Sequence, residues 1–199
     1  NFISFLKELS DLAKKQEKVF SVCVPARVKT ISDDVFPYKK IGDLADKVIV
    51  MAYDEHWSTS KAGPIASFKW CQKIVDYSVN VIPQEKLVMG LPFYGRTWSE
   101  KKPAQAWYYS GINRIMNENG AKKVEYIDGI PSVKFNMDVE VTGFFEDVNS
   151  VVQKMRLYDY KNVKRAKRVS RYYTEAQVLD AVSNPCIVHF TTCFMDGTR

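Results

Sequence analysis

The run Val48-Ile-Val-Met-Ala52 constrains this chain more than any other feature, because it is apolar throughout and opens on three β-branched residues, the composition of a strand buried on both faces. Strands of that kind belong to parallel sheets covered by helices. At its carboxyl end the run turns abruptly into Tyr53, Asp54, Glu55, His56 and Trp57. In parallel barrels the carboxyl rim of the strands is where active sites are built, so position and chemistry point the same way. Taken alone, Tyr53-Asp54 reads more simply as the plain end of a strand; the rest of the chain favours the rim.

Two further runs share the design. Lys86-Leu-Val-Met-Gly-Leu-Pro-Phe-Tyr-Gly-Arg-Thr-Trp98 reads as one strand closing on Tyr94, Arg96 and Trp98, and Val19-Phe-Ser-Val-Cys-Val-Pro25 as another ending in Ala26-Arg27. Helical periodicities lie between them. Phe2 to Lys15 puts Phe2, Phe5, Leu6, Leu9, Leu12 and Ala13 on one face, and Ser67 to Val79 carries Trp70, Cys71, Ile74, Val75 and Ser78 at helical spacing. This alternation predicts an α/β fold with a parallel sheet, either doubly wound or closed into a barrel.

Met51-Ala-Tyr-Asp54, followed by Gly90-Leu-Pro-Phe-Tyr-Gly-Arg96, resembles glycoside hydrolase family 18, the chitinase-like barrels, over about residues 1–163. The resemblance implies the C-terminal half of a (β/α)8 TIM barrel, with a small α+β insertion after the seventh strand at about residues 99–145. It further implies hydrolysis of β-linked N-acetylglucosamine polymers, chitin or peptidoglycan glycan, without a cofactor or metal. In this family the substrate's own 2-acetamido oxygen attacks the anomeric carbon, so the enzyme needs one acid and groups that orient the acetamide. Tyr53 would then donate to the acetamide carbonyl and Asp54 would hydrogen-bond the sugar. Met51, Trp57, Tyr94, Arg96, Trp98 and Tyr108 would bind the glycan.

The family's proton-donating glutamate stands in an Asp-rich signature at the end of the fourth barrel strand, just before a helix like Phe2 to Lys15. No Asp-x-Asp-x-Glu run occurs among these residues. The acid is therefore expected upstream of Asn1, and the isolated chain is expected to be inactive. Glu55, the nearest other carboxylate, is expected to be a solvated loop residue. A catalytically silent glycan-binding protein of the same fold is one alternative function; a glycosyltransferase fragment, read from the tail of the chain, is the other.

Ala106-Trp-Tyr-Tyr-Ser110 leads into a short helix from Gly111 to Asn119, closed by Gly120. Lys123 to Ile127 and Ile130 to Phe135 flank Asp128-Gly129, a hairpin signal, and Val139 to Phe145 reads as a further strand. The rings of Trp57, Trp98 and Trp107 either pack a core or offer their faces to sugars. Glu146 to Tyr158 reads as a helix with acidic groups in its first turn and basic ones later, which suits its dipole.

The net charge of +6 is uneven, with half of it in residues 164–199. The basic stretch Lys161 to Arg171 reads as a solvated linker; with no interleaved aromatics, no nucleic-acid partner is expected. Beyond it, a helix from Tyr173 to Val182 and a strand from Asn184 to Thr192 resemble the C-terminal segment of glycosyltransferase family 8. That family's Asp-x-Asp metal motif is absent, and His189 is expected to be structural rather than a ligand. Cys23, Cys71, Cys186 and Cys193 form no Cys-x-x-Cys pair, so thiols rather than a zinc site or disulfide framework are expected. A barrel of this type needs about 250 residues against the 199 present, so open sheet edges and association through them are expected. There is no membrane-spanning run; a location in the cell envelope or outside the cell is implied by the resemblance alone.

Overall fold

The computed structural model describes residues 2–100, 102–121, 123–137 and 139–161. The basic stretch after Lys161, the expected helix and strand beyond it, and with them His189, Cys186 and Cys193, lie outside the described residues.

The first periodic segment is α1 (Phe2–Lys15), and the first apolar run is β1 (Ser21–Pro25). Val48 to Ala52 supplies β2 (Lys47–Met51), parallel to β1 from Ser21↔Lys47 to Pro25↔Met51, and β3 (Leu87–Met89) pairs with its other side, also parallel. Val48, Val50 and Leu87 are fully buried and Ile49 nearly so, as an apolar strand covered on both faces must be. The crossovers are α2 (Tyr38–Leu44) and α3 (Phe68–Val81). α3 turns Cys71, Ile74, Val75 and Ser78 inward, as its spacing predicts, and Ser67 caps it by accepting from the Trp70 N–H.

α2 is too short for periodicity to announce it. Its signals are Pro37 at the start and Tyr38, Ile41 and Leu44 at three-residue steps; Tyr38 is buried and donates its hydroxyl to the Pro25 carbonyl at 2.7 Å. α1 also corrects the expected face. Phe5 and Leu12 are 54% and 51% exposed, and the buried line runs through Leu6 and Ser10. Ser10 donates to the Leu44 carbonyl at 2.8 Å, so a polar contact with the end of α2 sets the helix rotation.

Lys86 to Trp98 is not one strand but two, in different sheets. Gly90 makes the last bond to β2, its N–H donating to the Val50 carbonyl at 2.8 Å. Pro92 has no N–H with which to extend the ladder, and the chain turns away there. It re-enters as β4 (Tyr94–Ser99) of an antiparallel sheet, with β5 (Lys102–Tyr108), β6 (Val124–Ile127), β7 (Ile130–Asn136) and β8 (Glu140–Phe145) in the order β5-β4-β8-β7-β6. β5 escapes a pattern reading because its first five residues, Lys-Pro-Ala-Gln-Ala, lack strand-favouring types and include Pro103, which an edge strand tolerates. The predicted hairpin is present: Asp128 (φ 49°) and Gly129 (φ 77°) take the left-handed conformation that a two-residue turn requires. Between β5 and β6 lies α4 (Tyr109–Glu118), with Gly120 left-handed just beyond its end.

The acidic residues expected in the first turn of the last helix precede it instead. α5 (Val148–Tyr160) is capped by Asp147 in a reciprocal pair with Ser150, and Glu146 is fully buried. Its carboxylate takes a 2.7 Å bond from buried Lys154 and a 2.6 Å bond from the Ser150 hydroxyl. The two sheets meet around Ile65, which is fully buried with Trp98, Ala104, Ile130 and Phe144. They are tied again where Asp128 accepts from the Lys69 N–H of α3 at 3.2 Å. Among the described residues no helix is long and apolar enough to cross a membrane.

One ion pair near the rim gives this fold an acid limit. Asp34 receives Arg27 Nε at 2.8 Å and Nη2 at 3.0 Å, and the Arg27 bonds, aided by the Phe36 N–H, hold its carboxyl below the ordinary value. A depressed folded pKa stabilises above the unfolded value of about 3.9, and that stabilisation is lost as pH falls through the folded value. Asp34→Asn is therefore expected to cost about 1.5–3 kcal/mol at neutral pH and progressively less as pH falls below about 3.9, read from urea midpoints across pH. A pH-independent deficit would mean that packing, not charge, is lost.

Candidate functional site

The site grows from the place where β2 ends and β4 begins. Past Met51 the backbone loses strand geometry, and Asp54 takes a left-handed conformation at φ 59°, which an aspartate tolerates better than most residues. That turn carries the Asp54 carboxylate toward β4. There Oδ1 accepts from the Tyr94 hydroxyl at 2.5 Å and from Arg96 Nη2 at 3.0 Å. The guanidinium carbon also lies 5.7 Å from the centroid of the Tyr94 ring. Tyr53 completes the group, its ring 6.4 Å from that of Tyr94 and nearly perpendicular to it, at 81°.

Burial dominates the titration of both tyrosines. It raises the Tyr53 hydroxyl above its ordinary value, with Cys23 and Asp54 adding to the rise; in Tyr94 burial comes first and the bond to Asp54 second. Both stay protonated at neutral pH. Tyr94 spends its proton on Asp54, whereas Tyr53 is a half-buried phenol on the same rim as the carboxylate and guanidinium. Such an arrangement can orient a neutral polar group and answer a charge developing on it.

The structure brings together Tyr53, Asp54, Tyr94 and Arg96, with Met51 closing β2 two residues before Tyr53. Tyr108 stands beside them, half-exposed and directly opposite Tyr94 in the β4–β5 ladder, so that both side chains leave the sheet on one face. Trp57 is exposed on the loop after β2, its indole N–H donating to Thr59 Oγ1 at 3.0 Å. Trp98 is a correction: at 9% exposure it packs edge-on against Phe144 in the core between the sheets, with no face to offer a sugar. Trp107 likewise packs with the α4 cluster and donates to Thr97 Oγ1 at 2.8 Å. Among the described residues no cluster of His, Cys, Asp or Glu could hold a metal. Cys71 is buried and its thiol is pushed up to about 12, so it is an inert packing group.

Two contributors escape the motif reading. Glu55 is not a solvated loop residue: its Oε2 accepts the Ser67 N–H at 2.7 Å, at the start of α3, an interaction invisible to local pattern because twelve residues separate the partners. Gly90 is the other. A Cβ there would lie 2.9 Å from Tyr53 Cε1 and 3.0 Å from the Val50 carbonyl, so the bare backbone makes room for the Tyr53 ring. A lone glycine within an apolar strand run is itself a signal of such close approach. Gly90→Ala is expected to displace that ring and to cost about 1–3 kcal/mol of stability. Denaturant titration and a crystal structure check this; an unmoved ring in a fully stable variant would count against it.

The same architecture occurs in known proteins. A family model for glycosyl hydrolases family 18 matches residues 1–166. The Bacillus subtilis glycosylase YvbX is 38% identical over 105 residues, covering 51% of this chain and 30% of its own. YdhD of Bacillus subtilis, named as a sporulation-specific glycosylase, is 29% identical over 174 residues, 78% of this chain and 39% of its own. The crystal structure of a chitinase from Chromobacterium violaceum superposes with a TM-score of 0.71 at 26% identity, over 81% of this chain and 53% of that one. The chain thus spans 30–39% of the length of these two curated relatives and about half of the solved one. The fold is of the α/β TIM-barrel type. On these grounds the chain belongs to glycosyl hydrolases family 18.

Proposed function

We propose that these residues form one side of the glycan groove of a glycoside hydrolase that cleaves β-linked N-acetylglucosamine polymers, chitin or peptidoglycan glycan, by substrate assistance. The observation that carries the reading is the convergence of Tyr53, Asp54, Tyr94 and Arg96, from the ends of strands in two sheets, on one rim. Tyr53 donates to the acetamide carbonyl as its oxygen attacks the anomeric carbon. Asp54, held by Tyr94 and Arg96, orients the acetamide and balances the charge that develops on it. Met51 floors the groove, and Trp57 and Tyr108 offer exposed aromatic faces to neighbouring sugars. Chitinase and glycosylase relatives support the substrate class.

Within that reading, β1, β2 and β3 with their helices are consecutive units of a (β/α)8 barrel, in one domain over about residues 1–163. The antiparallel unit is an insertion after the seventh strand, its sheet beginning at Tyr94 rather than near residue 99. A silent glycan-binding protein is the second reading: the exposed Trp57 and Tyr108 rings beside the Asp54, Tyr94 and Arg96 group can hold a glycan whether or not a proton donor faces them.

Release of a fluorogenic aglycone from a chitobiose conjugate separates the two. The complete gene product is expected to turn it over. A polypeptide of these 199 residues is expected to fall short by about a hundred-fold or more, since general acid catalysis contributes about 10²–10⁴. Binding of N-acetylglucosamine oligomers without any turnover by the complete gene product would favour the silent reading. Turnover of about one per second by the short polypeptide, lost in Glu55→Gln, would make Glu55 the acid.

A further inference from the structure

The geometry points to Glu55 as a positioning residue, which holds Asp54 in its left-handed turn by fastening the loop after β2 to the start of α3. This rests on the assignment of Tyr53 and Asp54 above and adds to it the part that keeps them in place.

A non-glycine residue in the left-handed region persists only where its surroundings over-determine it. For Asp54 those surroundings lie immediately downstream. The Glu55 N–H donates to the Ile65 carbonyl at 2.8 Å, the Glu55 carboxylate accepts the Ser67 N–H at 2.7 Å, and His56 Nδ1 donates to the Pro64 carbonyl at 2.8 Å. The His56 ring also lies flush on Gly63, where a Cβ would come within 2.5 Å of it. Two consecutive residues are thus stapled along four others, on one side only.

The far end of the staple does not yield. Ile65 and Ala66 are fully buried, and Ile65 belongs to the core between the two sheets, against which Tyr53 and Tyr94 also pack. Ser67 is the N-cap of α3, and a carboxylate at that helix start meets both an unpaired N–H and the positive end of the dipole. With Asp54 bonded to β4 on its other side, the turn is gripped at both ends. Release of Glu55 leaves Asp54 free to relax toward an ordinary backbone conformation, which carries its carboxylate away from Tyr94 and Arg96.

Three variants of the complete gene product test this: Glu55→Ala, which deletes the acceptor; Glu55→Gln, whose amide oxygen still accepts; and Ser67→Pro, which deletes the donor at a φ of −62° that proline adopts readily and is read against Ser67→Ala, which loses the side-chain cap alone. Glu55→Ala and Ser67→Pro are expected to lower kcat by about ten- to a hundred-fold with KM little changed, the scale of a misplaced catalytic group. Their double variant should be no worse than either alone, and Glu55→Gln should stay within about three-fold of the parent. Crystal structures of Glu55→Ala and Glu55→Gln provide a readout that needs no activity: Asp54 leaves the left-handed region and the Tyr94 bond in the first and keeps both in the second.

Unchanged kcat in Glu55→Ala, or an unmoved Asp54 in its structure, overturns the proposal. Equal damage from Glu55→Gln does so too, because it assigns Glu55 a role as a charge. Tyr53→Phe and Asp54→Asn in the same assay keep the two ideas apart. If those two are neutral, the catalytic assignment fails while the Asp54 geometry still decides the role of Glu55.

Discussion

Lys154→Ala is expected to destabilise the fold by about 3–5 kcal/mol, a large part of the total stability of a domain of this size. Lys154 and Glu146 are each only 1% exposed, and the carboxylate oxygen in their 2.7 Å contact also accepts from the Ser150 hydroxyl. Removing the lysine strands a carboxylate where water does not reach. Burial already pushes the Glu146 carboxyl up against the opposing pull of Lys154, so without the lysine it folds in its neutral form. A raised folded pKa gives full stability below the unfolded value of about 4.3 and loses it as pH rises. The deficit of the variant should therefore be small near pH 4 and grow toward pH 8. Pairing Lys154→Met with Glu146→Leu should recover most of the loss, since an apolar pair needs no compensation. Urea midpoints of the three proteins at several pH values are the measurement. A loss below about 1 kcal/mol at pH 8 would mean that the freed carboxylate reaches water.

The second large effect falls on turnover. Tyr53→Phe in the complete gene product is expected to reduce kcat by roughly thirty- to a thousand-fold, about 2–4 kcal/mol, with KM nearly unchanged. Burial raises the phenol above its ordinary value, so it is protonated at neutral pH and the substitution removes a donor rather than a charge. Phenylalanine fills the same volume above Gly90, and stability should change little. Undiminished turnover in a folded variant would remove Tyr53 from the mechanism.

Much of this was legible before any coordinates, wherever a local rule governs the outcome. Periodicity alone delimits α1 and the core face of α3, and Asp128-Gly129 alone places the hairpin. The apolar run ending at Tyr53-Asp54 marks the rim. What pattern could not supply depends on partners distant in sequence. The thirteen residues from Lys86 to Trp98 look like a single strand because nothing local says that Leu87 and Tyr94 pair with different sheets. Trp98 looks like a sugar platform until Ile65 and Phe144 close over it. Glu55 looks solvated until Ser67, at the start of α3, arrives from twelve residues away. Phe5 and Leu12 follow the helical stripe faithfully, yet the contact with α2 at Leu44 turns Leu6 and Ser10 inward instead.

The antiparallel unit leaves the parallel one through β4 and returns through β8, and these two strands are direct neighbours, with Gly95 facing Phe145. Facing residues in a ladder are only about 4.5–5.5 Å apart, so the chain departs and comes back through a gap that a tight turn could close. Everything between is a cartridge whose strands can be lengthened or exchanged as long as Trp98, Ala104, Ile130 and Phe144 keep the seam with Ile65. A protein engineer seeking to redesign the antiparallel unit has a natural cut point at this pair, and so does recombination.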